Sequence, residues 1–435
     1  MSHILNLPWG RDKISLTLPE SWQLTGELEP SPLPGVPDTS VEVRGSLQTP
    51  IQAPRLIDLC HKGTQVAIVI DDVSRPTPVA SILPVVLDEL AQGGVGRKDI
   101  RLVIALGVHR PMQEQAVEQR VGAAALQGLC WQNHTCDEPD QLTSLGTTQR
   151  GTPVSINKTV AQADLIVSIG SIEPHLIASF GGGYKNLIPG VAGRETVAHN
   201  HALNCTPDTF NMVGQPIERN PMRLDLEEGC RMLKQPVFIV NAVLNSAGQV
   251  VRIVSGDPIA AHREGAKISQ AIYGVGISAP ADVVISDSHP MDQDLRQGSK
   301  ALANTIWAVR PGGVQLVLMR AVDGLGVFGL ANSKLPLGRS ALKRLSPVLV
   351  RLVPHLKLKG MPDDERFFLY FALQAMRHCT LLVYAPTVPA EARAGLPFVQ
   401  FVESPEAALA IAQRLLPQRA QVLAFPHGGI TYPIL

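Results

Sequence analysis

Aromatic side chains make up only 4% of this 435-residue chain. So few rings disfavour a base-stacking or sugar-stacking platform. Acidic and basic residues cancel at 38 each, which leaves no overall field to gather a polyanion or an anionic membrane surface. The reading is therefore no nucleic-acid partner and no membrane partner. Long hydrophobic runs are missing as well: the longest charge-free stretch, Gln235–Val251, is interrupted by Pro236, Asn241, Asn245, Ser246 and Gly248. Such polar interruptions do not cross a bilayer. Met1–Leu7 has neither a basic start nor a long apolar stretch, so no secretory leader is visible. The cysteines Cys60, Cys130, Cys136, Cys205, Cys230 and Cys379 form no C-x-x-C pair, a pattern that suits buried or idle thiols in a reducing cytoplasm.

What is present is a core-forming composition, 45% apolar, on a chain long enough for two domains without disulfide or metal staples. Short β-branched runs alternate with helical periodicity. Val66–Ile70 precedes a helix over Val79–Leu90, Leu102–Leu106 precedes one over Gln113–Val121, and Leu165–Ile169 precedes a glycine-rich stretch and a longer helical region. Continuous apolar strands separated by helices predict parallel sheets covered on both faces. A second series follows: Val283–Ile285, a helix near Leu295–Val309, Val314–Met319, a helix near Asp364–Arg377, Leu381–Tyr384 and a helix near Ser404–Leu416. The expected fold is α/β, with two α/β domains at 1–275 and 276–420 and a tail, 421–435, that returns to the first.

The first three strands of that series each run into polar, reactive residues. These are Asp72-Val73-Ser74-Arg75-Pro76, Gly107-Val108-His109-Arg110-Pro111 and Glu173-Pro174-His175. In open α/β sheets the ligand crevice lies outside the carboxyl ends of the strands. Each residue alone reads equally well as a helix cap or a loop hydrogen-bonder. Caps alone, however, do not call for an arginine and two imidazoles at successive strand ends.

The densest signal is Ser179-Phe180-Gly181-Gly182-Gly183-Tyr184-Lys185-Asn186, continuing to His199-Asn200-His201. Consecutive glycines allow close backbone approach and can offer N–H groups to an anion. The spacing is not that of a nucleotide P-loop. A lysine beside glycines serves as a phosphate contact or, once desolvated, as a nucleophilic attachment point. His199 and His201 suggest a metal pair, but two positions apart on a helix they point to opposite sides. Only one can face a shared metal, so further ligands have to come from elsewhere.

In the second half, Asp294-Leu295-Arg296-Gln297-Gly298-Ser299-Lys300 opens a helix on which Gln297 and Lys300 share a face. They are candidates to reach an anionic substrate across an interdomain cleft. Gly324–Gly329 matches G-x-G-x-x-G, yet no acidic residue follows until Asp363 to hold a ribose hydroxyl. The basic residues from Lys334 to Lys359 accompany leucines at helical spacing, Leu342, Leu345, Leu349, Leu352 and Leu356. An amphipathic helix with a solvated basic face explains them.

Taken in order, the Asp72–Pro78 segment, Gly107–Met112, Glu173–His175, the glycine-lysine stretch ending in Asn200-His201, and Gln297 with Lys300 closely resemble the lactate racemase family that uses the nickel-pincer nucleotide. The resemblance runs over nearly the whole chain. It implies an active site between two α/β domains and a cofactor, Ni(II)-pyridinium-3,5-bisthiocarboxylic acid mononucleotide, covalently attached at Lys185 through a thioamide. It also implies that His201 is the metal ligand, that His109 and His175 are the catalytic acid/base pair, and that Asp72, Val73, Ser74, Arg75, Gln297 and Lys300 line the cofactor. Arg75, Gln297 and Lys300 would hold the substrate. The implied reaction is racemisation or epimerisation at C2 of a 2-hydroxy acid by proton-coupled hydride transfer through a 2-keto acid. Cofactor-synthesis proteins would be partners, and a homo-oligomer is compatible. At Asp287–Asp292 the chain reads Asp-Ser-His-Pro-Met-Asp, where lactate-acting members are expected to carry an aromatic before the proline. Lactate is thus the default within a wider substrate class. Two other readings of the same residues are a zinc hydrolase or lyase with His109, His175 and His201 on the metal, and a non-catalytic relative that binds a small anion or nucleotide.

Overall fold

The computed structural model describes residues 3–326, 337–355 and 366–435. The chain divides into two compact units, one made of Pro32–Leu203 and Gln215–Ile272, the other of Met1–Ser31, Asn204–Gly214 and Tyr273–Leu435. No helix among the described residues is long and apolar enough to cross a membrane.

The first unit is built on a six-stranded sheet. Its order is Val250–Gly256, Val237–Leu244, Leu165–Ser171, Val66–Asp71, Ile100–Ala105, Cys130–Asn133. Every neighbouring pair is parallel except the edge pair Val237–Leu244 with Val250–Gly256. All six residues of Val66–Asp71 are buried, as a strand covered on both faces by helices must be. Each fully buried valine or isoleucine there stabilises the fold by about 1.5–3 kcal/mol. One consequence of the order matters for the site. The chain leaves Val66–Asp71 toward Ile100–Ala105 on one side and later returns to place Leu165–Ser171 on the other. Val66–Asp71 is therefore a topological switch point, where a crevice opens above the strand ends.

The second unit holds a wholly parallel six-stranded sheet, ordered Gln400–Phe401, Thr380–Tyr384, Val309–Leu318, Ala281–Asp287, Gln421–Phe425, Gln23–Glu27. Asp294 accepts the Gln297 amide at 2.7 Å and so starts the helix Leu295–Thr305. That helix ends before the expected Val309, in a 3₁₀ turn at Ile306–Ala308.

Here the structure corrects the sequence reading of the tail. Residues 421–435 do not return to the first unit. Gln421–Phe425, buried at four of five positions, pairs with Ala281–Asp287, and Tyr432–Ile434 pairs with Gly274–Gly276. The amino-terminal segment also joins this second unit. Its strand Gln23–Glu27 alternates exposed and half-buried residues, the pattern of an edge strand, and pairs through its backbone with Gln421–Phe425. A strand with so little apolar signal is invisible to hydrophobic periodicity.

The helix Arg339–Leu352 buries Leu342, Ser346 and Val350 and leaves Leu345 and Leu352 exposed. Its inward stripe is thus turned from the leucine ladder. Lys334, Leu356, Lys357 and Lys359, with Val327–Gly329 of the glycine pattern, lie outside the described residues.

Candidate active site

Three strand ends of the first unit supply the expected groups. Asp72 follows the central strand, and its Oδ1 accepts the Ser74 amide at 3.0 Å and the Ser74 hydroxyl at 2.5 Å. Its Oδ2 lies 2.6 Å from His109 Nδ1. Burial opposes ionisation of Asp72, but the hydrogen bonds and charge from His109 and those from Ser74 outweigh it and hold the carboxyl at about 2. Asp72 is thus an ionised acceptor, and His109 Nδ1 carries the proton. The other ring nitrogen, Nε2, is left as the basic one. His109 has 38% of its side chain exposed above a carboxylate with 8%, so the imidazole is within reach of a ligand while its orienting partner is not.

On the other flank of the central strand, Leu165–Ser171 leads to Glu173 and His175. His175 Nδ1 accepts the amides of Ile177 at 3.1 Å and Ala178 at 3.2 Å. In the neutral ring the proton then sits on Nε2. The two histidines therefore come from strands on opposite sides of Val66–Asp71 and adopt complementary tautomers. Between them, Arg75 Nη1 donates to Glu173 Oε1 at 2.8 Å. Glu173 is a partner that the sequence reading quoted but assigned no role. Val73 is 64% exposed in the turn that Asp72 organises.

The glycine-lysine stretch packs against these loops. Gly107 donates to Gly190 O at 2.8 Å, which brings the His109 loop onto the segment after Lys185. Asn186 Nδ2 donates to Ile169 O at 2.7 Å, tying the lysine turn to the third strand. The glycines are demanded by the protein itself. At Gly182, φ is +72° and a Cβ would lie 2.6 Å from Ile172 and 2.7 Å from Asn241 Oδ1; at Gly183, φ is +62° and it would lie 3.0 Å from His262. Asn241, buried in the strand Val237–Leu244, accepts the Gly183 amide at 2.7 Å. The result is a tightly fixed turn, the 3₁₀ segment Gly183–Asn186, that carries Lys185.

Burial, with the positive charges of Arg75 and Arg223 and against that of Glu173, holds the Lys185 amine well below the usual ammonium range. An uncharged amine is the nucleophilic form. His201 lies on the helix Arg194–Ala202. Burial, joined by the charge of Lys185, lowers its imidazole to about 3. It is neutral at ordinary pH, as a metal ligand must be. Arg75 and Glu173 thus act electrostatically on Lys185, and Lys185 on His201.

The histidine pair of the sequence reading is separated by its partners. Thr152 Oγ1 donates to Asp225 Oδ2 at 2.7 Å and lies 2.9 Å from His199 Nδ1, so its proton is committed and His199 Nδ1 is the donor to it. Both ring nitrogens of His201, by contrast, are shielded from solvent without a hydrogen-bond partner among the described residues. Gln297 and Lys300, on the helix Leu295–Thr305, belong to the second unit. Both are half-buried, and Lys300 Nζ lies 3.6 Å from Met291 Sδ. His289, before a cis proline, pairs through Nδ1 with Asp292 at 3.1 Å and stacks edge-on against His427.

Comparison with known proteins follows the same residues. The pattern describing the lactate racemase N-terminal domain matches residues 9–211. A lactate racemase from Thermoanaerobacterium thermosaccharolyticum is 29% identical over 329 residues, covering 75% of this chain and 76% of that protein. One from Lactiplantibacillus plantarum is 28% identical over 293 residues, covering 67% and 68%. The chain is thus similar to lactate racemases over these spans. Its fold matches that of the lactate racemase apoprotein from T. thermosaccharolyticum with a TM-score of 0.85, 24% identity and full coverage of both chains. A second match, a protein from Thermotoga maritima, has a TM-score of 0.67 at 15% identity and covers 91% of this chain and 98% of that one.

The donor set separates the metal readings. A zinc site needs three or four protein ligands, and among the described residues no three His, Cys, Asp or Glu side chains are grouped to hold a metal. A metal whose other donors belong to a cofactor needs a single protein imidazole. The unpartnered, neutral ring of His201 fits that demand, and the buried amine of Lys185 fits a tether. The residues present therefore fit the nickel-pincer group that the resemblance implies better than a zinc site built from protein ligands alone.

Proposed function

We propose that the chain is a racemase or epimerase that inverts C2 of a 2-hydroxy acid, with lactate as the family default. The observation that carries this reading is the pair of oppositely poised imidazoles, His109 and His175, delivered from either side of the central strand. Inversion requires a proton acceptor on one face and a proton donor on the other, because the two enantiomers present their hydroxyl groups in mirror-related positions. Groups with a pKa near the working pH suit both duties.

Lys185 would tether the nickel-pincer nucleotide and His201 would ligate its metal. When bound, that group supplies the hydride acceptor, as cofactors do the chemistry that side chains cannot. The chain's own residues do the rest. His109 Nε2, left with its lone pair free because Nδ1–H is turned to the Asp72 carboxylate, takes the hydroxyl proton of one enantiomer. His175 serves the other face: as the imidazolium, with Nδ1 released from the Ile177 and Ala178 amides, it returns a proton to the 2-keto acid oxygen and is left neutral, while His109 gives the proton it took to solvent. Arg75, held by Glu173 on one edge, offers its remaining N–H groups to the substrate carboxylate. Gln297 and Lys300 are proposed as further substrate ligands. Asp72, Val73 and Ser74 are proposed to line the cofactor, with Asp72 doubling as the orienter of His109. The polar His289–Asp292 pair stands where an aromatic is expected in lactate-acting members, so the substrate class extends to acids with polar side chains. Six unpaired cysteines suit a cytoplasmic setting, and cofactor-synthesis proteins are the expected partners.

Protein produced together with the cofactor-synthesis enzymes, then incubated with single enantiomers of lactate, malate, phenyllactate and aldonates, tests the proposal by chiral chromatography. At least one pair should converge on an equilibrium mixture from either side. Loaded protein that leaves every enantiomer unchanged contradicts it.

A further inference from the structure

Charged residues on a short helix ordinarily face water. On Pro221–Cys230 they do not: Arg223 has 0% and Asp225 1% of its surface exposed. Two positions along a helix differ by about 200°, so these buried charges point to opposite sides. Each reaches a different part of the proposed site.

Arg223 reaches the glycine stretch. Its Nε donates to Ala178 O at 3.4 Å, Nη1 to Gly182 O at 3.2 Å and Nη2 to Phe180 O. Burial lowers its pKa to about 10, which still leaves a cation at neutral pH. His262 Nε2 meets the intervening carbonyl, Gly181 O, at 2.8 Å, while its Nδ1 accepts from Arg263, which Glu227 grips with two contacts at 2.7 and 2.9 Å. The carbonyls of the turn leading into Lys185 are therefore fixed from this helix and its neighbour. Asp225 reaches the other way. It accepts the hydroxyls of Thr148 at 2.6 Å and Thr152 at 2.7 Å and the amide of Asn200 at 2.8 Å. Asn200 immediately precedes His201. Finally, the helix cap Asn220 donates to Ile177 O at 2.8 Å and Ser179 Oγ at 3.0 Å, within the turn whose amides hold His175.

We propose that Pro221–Cys230 is the positioning element that sets the tether and the metal ligand in register, Arg223 acting on Lys185 through the glycine-turn carbonyls and Asp225 acting on His201 through Asn200. The inference rests on the tether and ligand roles proposed above. Buried charges satisfied this fully are weak sources of stability; well-packed apolar residues often serve as well. What the hydrogen bonds supply is a single placement of two segments; a partner bonded directly to a ligand ring is worth about 10- to 100-fold in metal affinity, and Asp225, acting one residue away through Asn200, stands at the low end of that range. A displacement near 1 Å of a reacting group costs about 100-fold in rate.

The test uses protein loaded by co-production with the cofactor-synthesis enzymes. Adduct on the Lys185 peptide, nickel per adduct and thermal midpoint are measured for the parent, Arg223→Lys and Asp225→Asn, all per folded chain. Arg223→Lys keeps the charge but loses the three-carbonyl fork, and it should lower adduct at least tenfold while nickel per adduct is kept. Asp225→Asn should keep the adduct and release nickel at least tenfold faster. If Asp225→Asn gives no soluble protein, the isosteric Thr148→Val is expected to speed nickel release at least threefold. Variants that match the parent, or that lose adduct and nickel together in proportion to folded protein, overturn the inference alone. A parent with no adduct overturns the tether reading and this inference with it.

Discussion

His109 Nδ1 and Asp72 Oδ2 lie 2.6 Å apart, with the carboxylate buried and the imidazole half open. Because the carboxylate is held ionised, the shared proton belongs to the ring. Asp72→Asn keeps the volume and removes the charge. It should lower turnover per Lys185 adduct about 10²- to 10⁴-fold in both directions, the range for losing an oriented general base. Kinetics alongside peptide mass measurement check this; turnover within threefold of the parent removes Asp72 from the orienting role.

The complementary tautomers lead to an asymmetric prediction. His109→Ala and His175→Ala should each suppress interconversion by about 10²- to 10⁴-fold. In a single turnover, one variant should still form 2-keto acid from one enantiomer only, and the other variant from the opposite one. Equal residual activity on both enantiomers in both variants would show that the two rings do not divide the faces.

Gly183→Ala places a methyl group 3.0 Å from His262 and 3.1 Å from Pro258 O on a backbone at φ +62°. A non-glycine residue in that region costs roughly 1–3 kcal/mol. The expected result is a thermal midpoint lower by several degrees and a reduced yield of adduct, since the strained turn carries Lys185. Calorimetry of the unloaded protein measures the first effect by itself.

How far the sequence carries this account depends on burial. The sheet strands Val66–Asp71, Ile100–Ala105 and Leu165–Ser171 were legible because strands buried on both faces read as unbroken apolar runs. Their ends placed His109 and His175 in view. The edge strand Gln23–Glu27 was not legible, since it pairs through backbone groups that carry no side-chain signature. Arg223 and Asp225 escaped notice for a related reason: in Met222-Arg223-Leu224-Asp225-Leu226-Glu227 the charges read as a solvated face, and only tertiary partners reveal them as internal ties. Periodicity could show that His199 and His201 diverge. Which of them was free for a metal needed the Thr152 contact.

Asp287, 1% exposed at the end of the central strand of the second sheet, gives a pH prediction. Burial, with some help from Asp292 and against the His289 amide, raises its carboxyl from 3.8 to about 8. The folded state therefore binds a proton that the unfolded chain releases. The stability this contributes is fully present below about pH 4 and is lost as pH rises through about 8, on the order of several kcal/mol at most. Asp287→Asn should flatten the fall in thermal midpoint between pH 5 and pH 8.5 relative to the parent. Parallel curves for the two proteins would place the pH dependence elsewhere.

The central claim is that the histidines act on the hydroxyl proton while the hydrogen on C2 leaves and returns as a hydride without exchanging with water. Running the reaction in deuterium oxide from a single enantiomer and reading the product by mass spectrometry tests it directly. The account predicts that the newly formed enantiomer carries protium at C2 from the first turnovers onward. Deuterium at C2 in that product would mean that an imidazole removes the carbon-bound proton, and would contradict it.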